Sequence, residues 1–115
     1  MFRLKRIYEK AEKGDGFRIL VDKLWPRGVT KEGAKIDMWL KEIAPSDRLR
    51  KWFGHDTGKW ERFRKSYLSE LEKKGVSIGK IKDIEKVKKT VTLVFSASDE
   101  MHNNAVVLKQ CLETL

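Results

Sequence analysis

The chain is poor in the residues that make small sites easy to read. One cysteine, Cys111, stands in 115 residues, which excludes an internal disulfide framework and a cysteine-cluster metal site. It lies among Val106, Val107, Leu108 and Leu112, where a thiol behaves as a small, inert core hydrophobe. Amides are nearly absent: Gln110, Asn103 and Asn104 are the only ones. No stretch approaches the roughly 18 apolar residues of a membrane helix. The start, MFRLKRIYEK, carries no apolar secretory core. A soluble cytoplasmic protein without a membrane partner is expected. No Walker loop, G-x-G-x-x-G, G-x-S-x-G or zinc-finger spacing occurs, and His55 and His102 make no metal-binding pair by spacing. Neither a metal nor an organic cofactor is expected.

Charge is what the chain has in quantity. Lys and Arg number 26 against 17 Asp and Glu, a net charge of +9, and charged residues make up 37%, well above the roughly 25% of ordinary domains. Many Lys and Glu with few amides is the profile of proteins from heat-loving organisms, and such a source is expected. The excess attracts nucleic acid, anionic membrane or anionic small molecules without choosing among them. Much of it sits in GKIKDIEKVKK and LEKKG, which read as the wet faces of helices. No aromatic interleaves with those lysines, as a single-strand stacking platform needs.

The length fits one domain over residues 1–115. FRLKRIY alternates as a short edge strand, EKAEKGDG is a loop or hairpin connection, and FRILVDKLW is a more central strand. PRGVTKEGAK reads as a loop with one helical turn. IDMWLKEIAPS fits both periods and leans to a strand. Ser46 caps a short helix ended by Gly54. Asp56 or Thr57 starts another, carrying Trp60, Phe63, Tyr67, Leu68 and Leu71 and closed by Gly75. A third spans about Ile78 to Lys88 with Ile81, Ile84 and Val87 inward, TVTLVFSA is a buried strand, and a last helix runs from about Glu100. The order predicts an α/β fold: a mainly parallel sheet of about four strands, with about four or five helices packed on its faces.

Ligands of such sheets sit beyond the carboxyl ends of the strands, where VDKLWPRG and SASDEMHNNA would share one rim. In the first, Arg27 is the natural reader of a phosphate or carboxylate, unless it pairs with Asp22 or Asp99. Lys23 adds charge, Trp25 is either a stacking platform or core, and Gly28 permits close approach or a positive φ. Asp22, inside an apolar strand, needs a partner or a job. In the second, Ser96, Asp99, His102 and Asn103 gather rare residues. Asp99 either caps the last helix or belongs to a site. His102, placed in that helix's first turn, would tend to be neutral and able to move a proton. His55 beside Asp56 is either a tautomer-fixed base or the neighbour of a helix cap. The candidate catalytic residues are therefore His102, His55 and Asp22, with Lys23, Trp25, Arg27, Ser96, Asp99 and Asn103 as ligand contacts.

Together, GFRILVDKLWPRGVTKE, IDMWLKEIAPSDRLRKWFGHD, WERFRKSYLSEL and TVTLVFSASDEMHNNAVVLKQCL resemble the YeaO-like branch of the domain of unknown function 488 over nearly the whole chain. The resemblance implies a small cytoplasmic α/β protein of bacteria or archaea and carries over no activity. Wider branches tend to end the last strand on cysteine and enter the last helix with Cys-His-Arg. Here those positions match Ser96 and Met101-His102-Asn103, and only the histidine is kept, so a thiol nucleophile is not transferred. The expected function is binding of an anionic, nucleotide-like small molecule, with hydrolysis as one form of it. The alternatives are a basic nucleic-acid-binding module and a non-catalytic interaction domain.

Overall fold

The structure is a computed structural model that describes all 115 residues. Val91-Thr92-Leu93-Val94-Phe95 is apolar at every position but one, a pattern suited to a strand covered on both sides. It forms β4 (Val91–Phe95), and all of it is buried. β1 (Phe2–Arg6) pairs with one side of it and β2 (Phe17–Leu20) with the other, both parallel. β3, only Met38–Trp39, lies parallel beside β2, giving the order β1-β4-β2-β3. The expected strand over 36–43, leading into the break at Ala44-Pro45-Ser46, therefore lasts two residues. A 3-10 turn, Lys41–Ile43, follows it and brings Leu40 and Ile43 into the core together.

The helices are α1 (Lys31–Ala34), α2 (Asp47–Phe53), α3 (Trp60–Glu72), α4 (Gly75–Lys88) and α5 (Asn104–Glu113). Ser46 caps α2, its Oγ accepting from Leu49 N–H at 3.2 Å. Asp56 opens a 3-10 turn, Thr57–Lys59, and α-helix proper begins only at Trp60. α3 is not closed by Gly75. The N–H groups of Lys73 and Lys74 donate to the carbonyls of Glu70 and Leu71 and finish it without a left-handed residue, so Gly75 opens α4. Val87 is 74% exposed rather than inward. Each i+3 step falls roughly 60° short of a full turn, so a stripe begun at Ile78 has rotated to the far side by Val87. α5 starts at Asn104, not Glu100, because Asn103 Oδ1 accepts from Val106 N–H at 3.1 Å.

Helices cover both faces of the sheet unevenly: α2 to α5 gather on one and the short α1 lies on the other. There Ile19, Leu93 and Phe95 meet Phe53, Phe63 and Leu108 in the main core. The other face holds a smaller cluster of Ile7, Leu20, Ala34 and Val94, roofed by Trp25 and Val29 of the loop after β2 and by Trp39 of β3. Beside it lies a buried ionic knot. Asp15 accepts from Arg18 Nη1 at 2.6 Å and from Lys5 Nζ at 2.8 Å, while Arg18 Nη2 donates to the Ala34 carbonyl at 2.9 Å. Burial pushes the Asp15 carboxyl up, but the hydrogen bonds from Lys5, the Glu12 N–H and Arg18 outweigh it and hold the group below its usual range. Cys111 is half-buried, and burial pushes its thiol up.

Candidate functional site

With every strand parallel, their carboxyl ends share one edge, and the loops leaving β1, β2 and β4 face α2 across a cleft of about 840 Å³. Asp22 closes its floor. Oδ2 accepts from the Ser96 N–H at 2.9 Å and from Ser96 Oγ at 2.8 Å, and Oδ1 accepts from Asn104 Nδ2 at 3.2 Å. A carboxylate leaving a buried strand needs such partners, and these join the β2 and β4 exits. Arg6, the last residue of β1, braces the same loop: Nε donates to the Ala97 carbonyl at 2.8 Å and Nη2 to that of Ser96 at 3.3 Å. Its guanidinium lies 5.1 Å from the Tyr8 ring centroid.

α2 supplies the opposite wall. Asp47 in its first turn approaches Arg50 Nη2 at 3.3 Å and Lys23 Nζ at 3.4 Å. The Arg50 hydrogen bond, with the Lys23 charge, holds the Asp47 carboxyl below its usual range. Arg50 Nε is buried without a hydrogen-bond partner, alone in this among the buried side-chain nitrogens and oxygens. An unmade buried hydrogen bond costs about 1–3 kcal/mol. Past the helix end, Gly54 (φ 50°) and His55 (φ 60°) are both left-handed, and this turn places His55 on the cleft wall.

Of the residues expected from sequence, Asp22, Lys23, His55, Ser96, Asp99 and Asn103 line the cleft. Asn103 spends both ends of its amide internally, capping α5 and donating to the Asp99 carbonyl at 2.9 Å. Asp99 caps a tight turn ahead of α5, accepting from the N–H groups of Met101 at 2.9 Å and His102 at 3.0 Å. The Met101 bond, aided by His102 and opposed by burial, holds its carboxyl below the usual range.

Trp25, Arg27 and His102 are not brought to the cleft. Trp25 packs edge-on to Trp39 at 5.4 Å and donates Nε1–H to the Val29 carbonyl at 2.7 Å, so it is part of the roof over the second face. Arg27 is exposed, and only its carbonyl is engaged, accepting from Tyr8 Oη at 3.2 Å. Gly28, at φ 74° with open space where a Cβ would stand, serves a turn rather than a close approach. His102 precedes α5 instead of sitting in its first turn; its Nδ1 lies 3.0 Å from Asp99 Oδ2 and its ring meets Trp60 edge-on at 5.2 Å.

Sequence reasoning missed Arg6, Tyr8, Arg50 and Lys51, and Asn104 stands out in the sequence only as one of three amides. The rule for strand ends would have found Arg6 and Tyr8 once FRLKRIY was placed in the parallel sheet. Arg50 and Lys51 had no signal beyond lying in RLRKWFGHD. The cleft thus sets Arg6, Lys23, Arg50 and Lys51 against the carboxylates of Asp22 and Asp99. The Ser96 hydroxyl turns to Asp22, and no histidine hydrogen-bonds to it. No three His, Cys, Asp or Glu side chains converge as metal ligands do, and no helix is long and apolar enough to cross a membrane.

A family model described as the inactive DUF488-N3 subclade matches residues 1–115. The protein named YeaO of Escherichia coli K12, described only as uncharacterised, is 44% identical over 111 residues, covering 96% of each chain. Uncharacterised proteins of Mycobacterium bovis and Mycobacterium tuberculosis are 32% identical over 112 residues, covering 96% of this chain and 92% of theirs. No solved structure matches the chain.

Proposed function

Because the chain belongs to the DUF488 family, in its YeaO-like branch, we propose that the cleft is a binding site for an anionic, nucleotide-sized molecule, and that it holds this ligand without turning it over. The observation that carries the reading is Arg50. Its guanidinium stands on the wall of a cationic cleft, with the side chain 40% exposed and held only by a long, solvent-exposed contact to Asp47. This leaves its outer N–H groups to an incoming acceptor, since fork-shaped donors read phosphates and carboxylates two bonds at a time. Lys23, Lys51 and Arg6 supply the surrounding positive field. Leu24, Phe53 and Tyr8 give the cleft an apolar side for the rest of the ligand.

Binding is favoured over hydrolysis because the parts of a nucleophilic site lie apart. The Ser96 hydroxyl donates to Asp22, His102 is turned to Asp99 and Trp60, and His55 stands alone on the wall. A serine becomes a useful nucleophile only with a base in reach of its proton. The description of the family model as inactive agrees with this.

The test is a thermal-shift screen against nucleotides, sugar phosphates and carboxylates, run on the wild type, Arg50→Met and Arg27→Ala. A ligand at a hundred times its Kd adds about 2.7 kcal/mol of stability. At least one anionic class should therefore raise the wild-type Tm by roughly 10 °C. Arg50→Met should weaken binding about 10- to 100-fold, the worth of a charge-assisted hydrogen bond, and Arg27→Ala should leave it unchanged. Failure of every anion, or equal binding by Arg50→Met, removes the reading. Accumulation of a hydrolysed product that depends on Ser96 or His55 would make the chain an enzyme instead.

A further inference from the structure

A second concavity lies on the other side of α2, between its outer surface and α3. It is a groove of about 560 Å³ lined by Arg48 and Trp52 of α2 and Arg62 and Lys65 of α3, with Leu49 beneath. Arg48 and Trp52 stand one helical turn apart, as nearly do Arg62 and Lys65, so each pair projects from one side of its helix. None of the three cations takes part in the ion pairs of the fold. The one carboxylate in the groove, Glu70, is occupied at its end, accepting from the Ser46 N–H at 2.8 Å and Ser46 Oγ at 2.7 Å. Trp52 is 38% exposed, and Lys59 steadies it: Nζ lies 5.0 Å from the ring centroid and donates to the Trp52 carbonyl at 2.9 Å.

We propose that this groove binds single-stranded nucleic acid, with Arg48, Arg62 and Lys65 on successive phosphates and Trp52 stacking a base. The linear sequence shows lysine runs without aromatics, which argues against such binding. Folding sets a tryptophan among unpaired cations contributed by two separate helices, the combination that non-specific single-strand binders use. An acidic peptide would satisfy the cations and leave the indole without a role. A duplex keeps its bases stacked inward, away from Trp52. The groove and the cleft use different side chains of α2, so this inference does not depend on the reading of the cleft.

Fluorescence anisotropy with a labelled oligonucleotide of about 12 uridines, and one of as many thymidines, tests it. Log K should fall with log salt at a slope of about −2, three phosphates at roughly 0.7 each. Trp52→Ala should weaken binding about tenfold, within the range of one stacked base, and Trp52→Phe should recover most of that. Arg48→Ala with Arg62→Ala should flatten the slope to about −0.7. Lys80→Ala with Lys86→Ala, removing equal charge from α4, should change neither quantity. The Phe variant and the exposed charge pairs keep the core intact, so the comparison survives even if Trp52→Ala folds poorly. The proposal is overturned if the wild type does not bind at about 50 mM salt, if the α2–α3 charge pair binds as the wild type does, if Trp52→Phe binds no better than Trp52→Ala or a folded Trp52→Ala binds as the wild type does, or if the α4 pair loses as much as the groove pair. Displacement of the oligonucleotide by poly-glutamate at equal charge would also overturn it, making the groove a surface for an acidic protein.

Discussion

Asp22 and Arg50 sit in the same cleft and carry opposite energetic signs. Asp22 accepts three hydrogen bonds, so Asp22→Ala strands the Ser96 N–H and hydroxyl and leaves the Asn104 amide only the Val21 carbonyl. We expect a loss of about 2–3 kcal/mol, seen as a Tm lower by roughly 8–12 °C. Arg50 instead holds a buried donor with nothing to donate to, and its contact with Asp47 is solvent-exposed and weak. Arg50→Met keeps the apolar stem and removes the orphan, so its Tm should equal or slightly exceed that of the wild type while ligand binding falls. A Tm loss as large as that of Asp22→Ala would mark Arg50 as structural. Asp22 was legible in the sequence, because a carboxylate ending an apolar strand advertises a need. Arg27 misled for a physical reason: beyond the strand end no periodicity tells which way a side chain points, and the turn at Gly28 carries it outside. Arg50 was hidden among Arg48 and Lys51, three cations on one short helix of which Arg50 and Lys51 turn to the cleft and Arg48 to the groove behind it.

At the scale of elements, capping decides boundaries, and SDEMHNN offers several caps in succession. Asn103 holds α5, so Asn103→Ala should cost about 1 kcal/mol. Glu100→Ala, which would matter if the helix began there, should cost nothing measurable in urea denaturation. Which cap wins depends on how far the chain must travel from β4 before a helix can lie on the sheet, a distance the letters do not contain. The helix types and their inward stripes were readable because periodicity reports them directly; Val87 failed because a strict i+3 spacing drifts off the stripe. Gly16 carries no signal in the sequence beyond its polar loop. It enters β2 at φ 65°, where an added Cβ would lie 2.3 Å from the Thr90 carbonyl oxygen. Gly16→Ala should therefore cost more than the roughly 1–2 kcal/mol of a left-handed alanine alone, because backbone has to move, and its chemical-denaturation midpoint should fall accordingly.

For the whole molecule, a four-stranded parallel sheet was legible from the order of strands and helices, whereas the placement of α2 to α5 on one face was not. The other face is closed partly by charge: Lys5, Asp15 and Arg18 look like surface letters until strand register brings them under the loops. This knot sets the pH response. The folded Asp15 carboxyl lies below its value in the unfolded chain; its contribution is full above about pH 5 and is lost as pH falls through the folded value. Lys5 is raised, first by its hydrogen bond to Asp15 and then by that to Glu12; its contribution is full below about pH 10 and is lost as pH rises through its folded value. Tm should be flat from about pH 5 to about pH 8 and fall outside that window, with Asp47 and Asp99 sharing the acid limb and the Cys111 thiol, raised by burial, opening the alkaline one. Asp15→Asn leaves Arg18 buried without its counter-ion, so it should lower stability by about 3 kcal/mol and flatten the acid limb. The strand order also governs the life of the nascent chain. β1 and β2 do not pair with each other; β2 has the two residues of β3 on its far side, and the edges that β1 and β2 turn inward are both filled by β4, which begins at Val91. At the usual pace of synthesis the first two strands spend several seconds with bare edges, in the charge of chaperones or of their own lysines, until the strand between them leaves the ribosome.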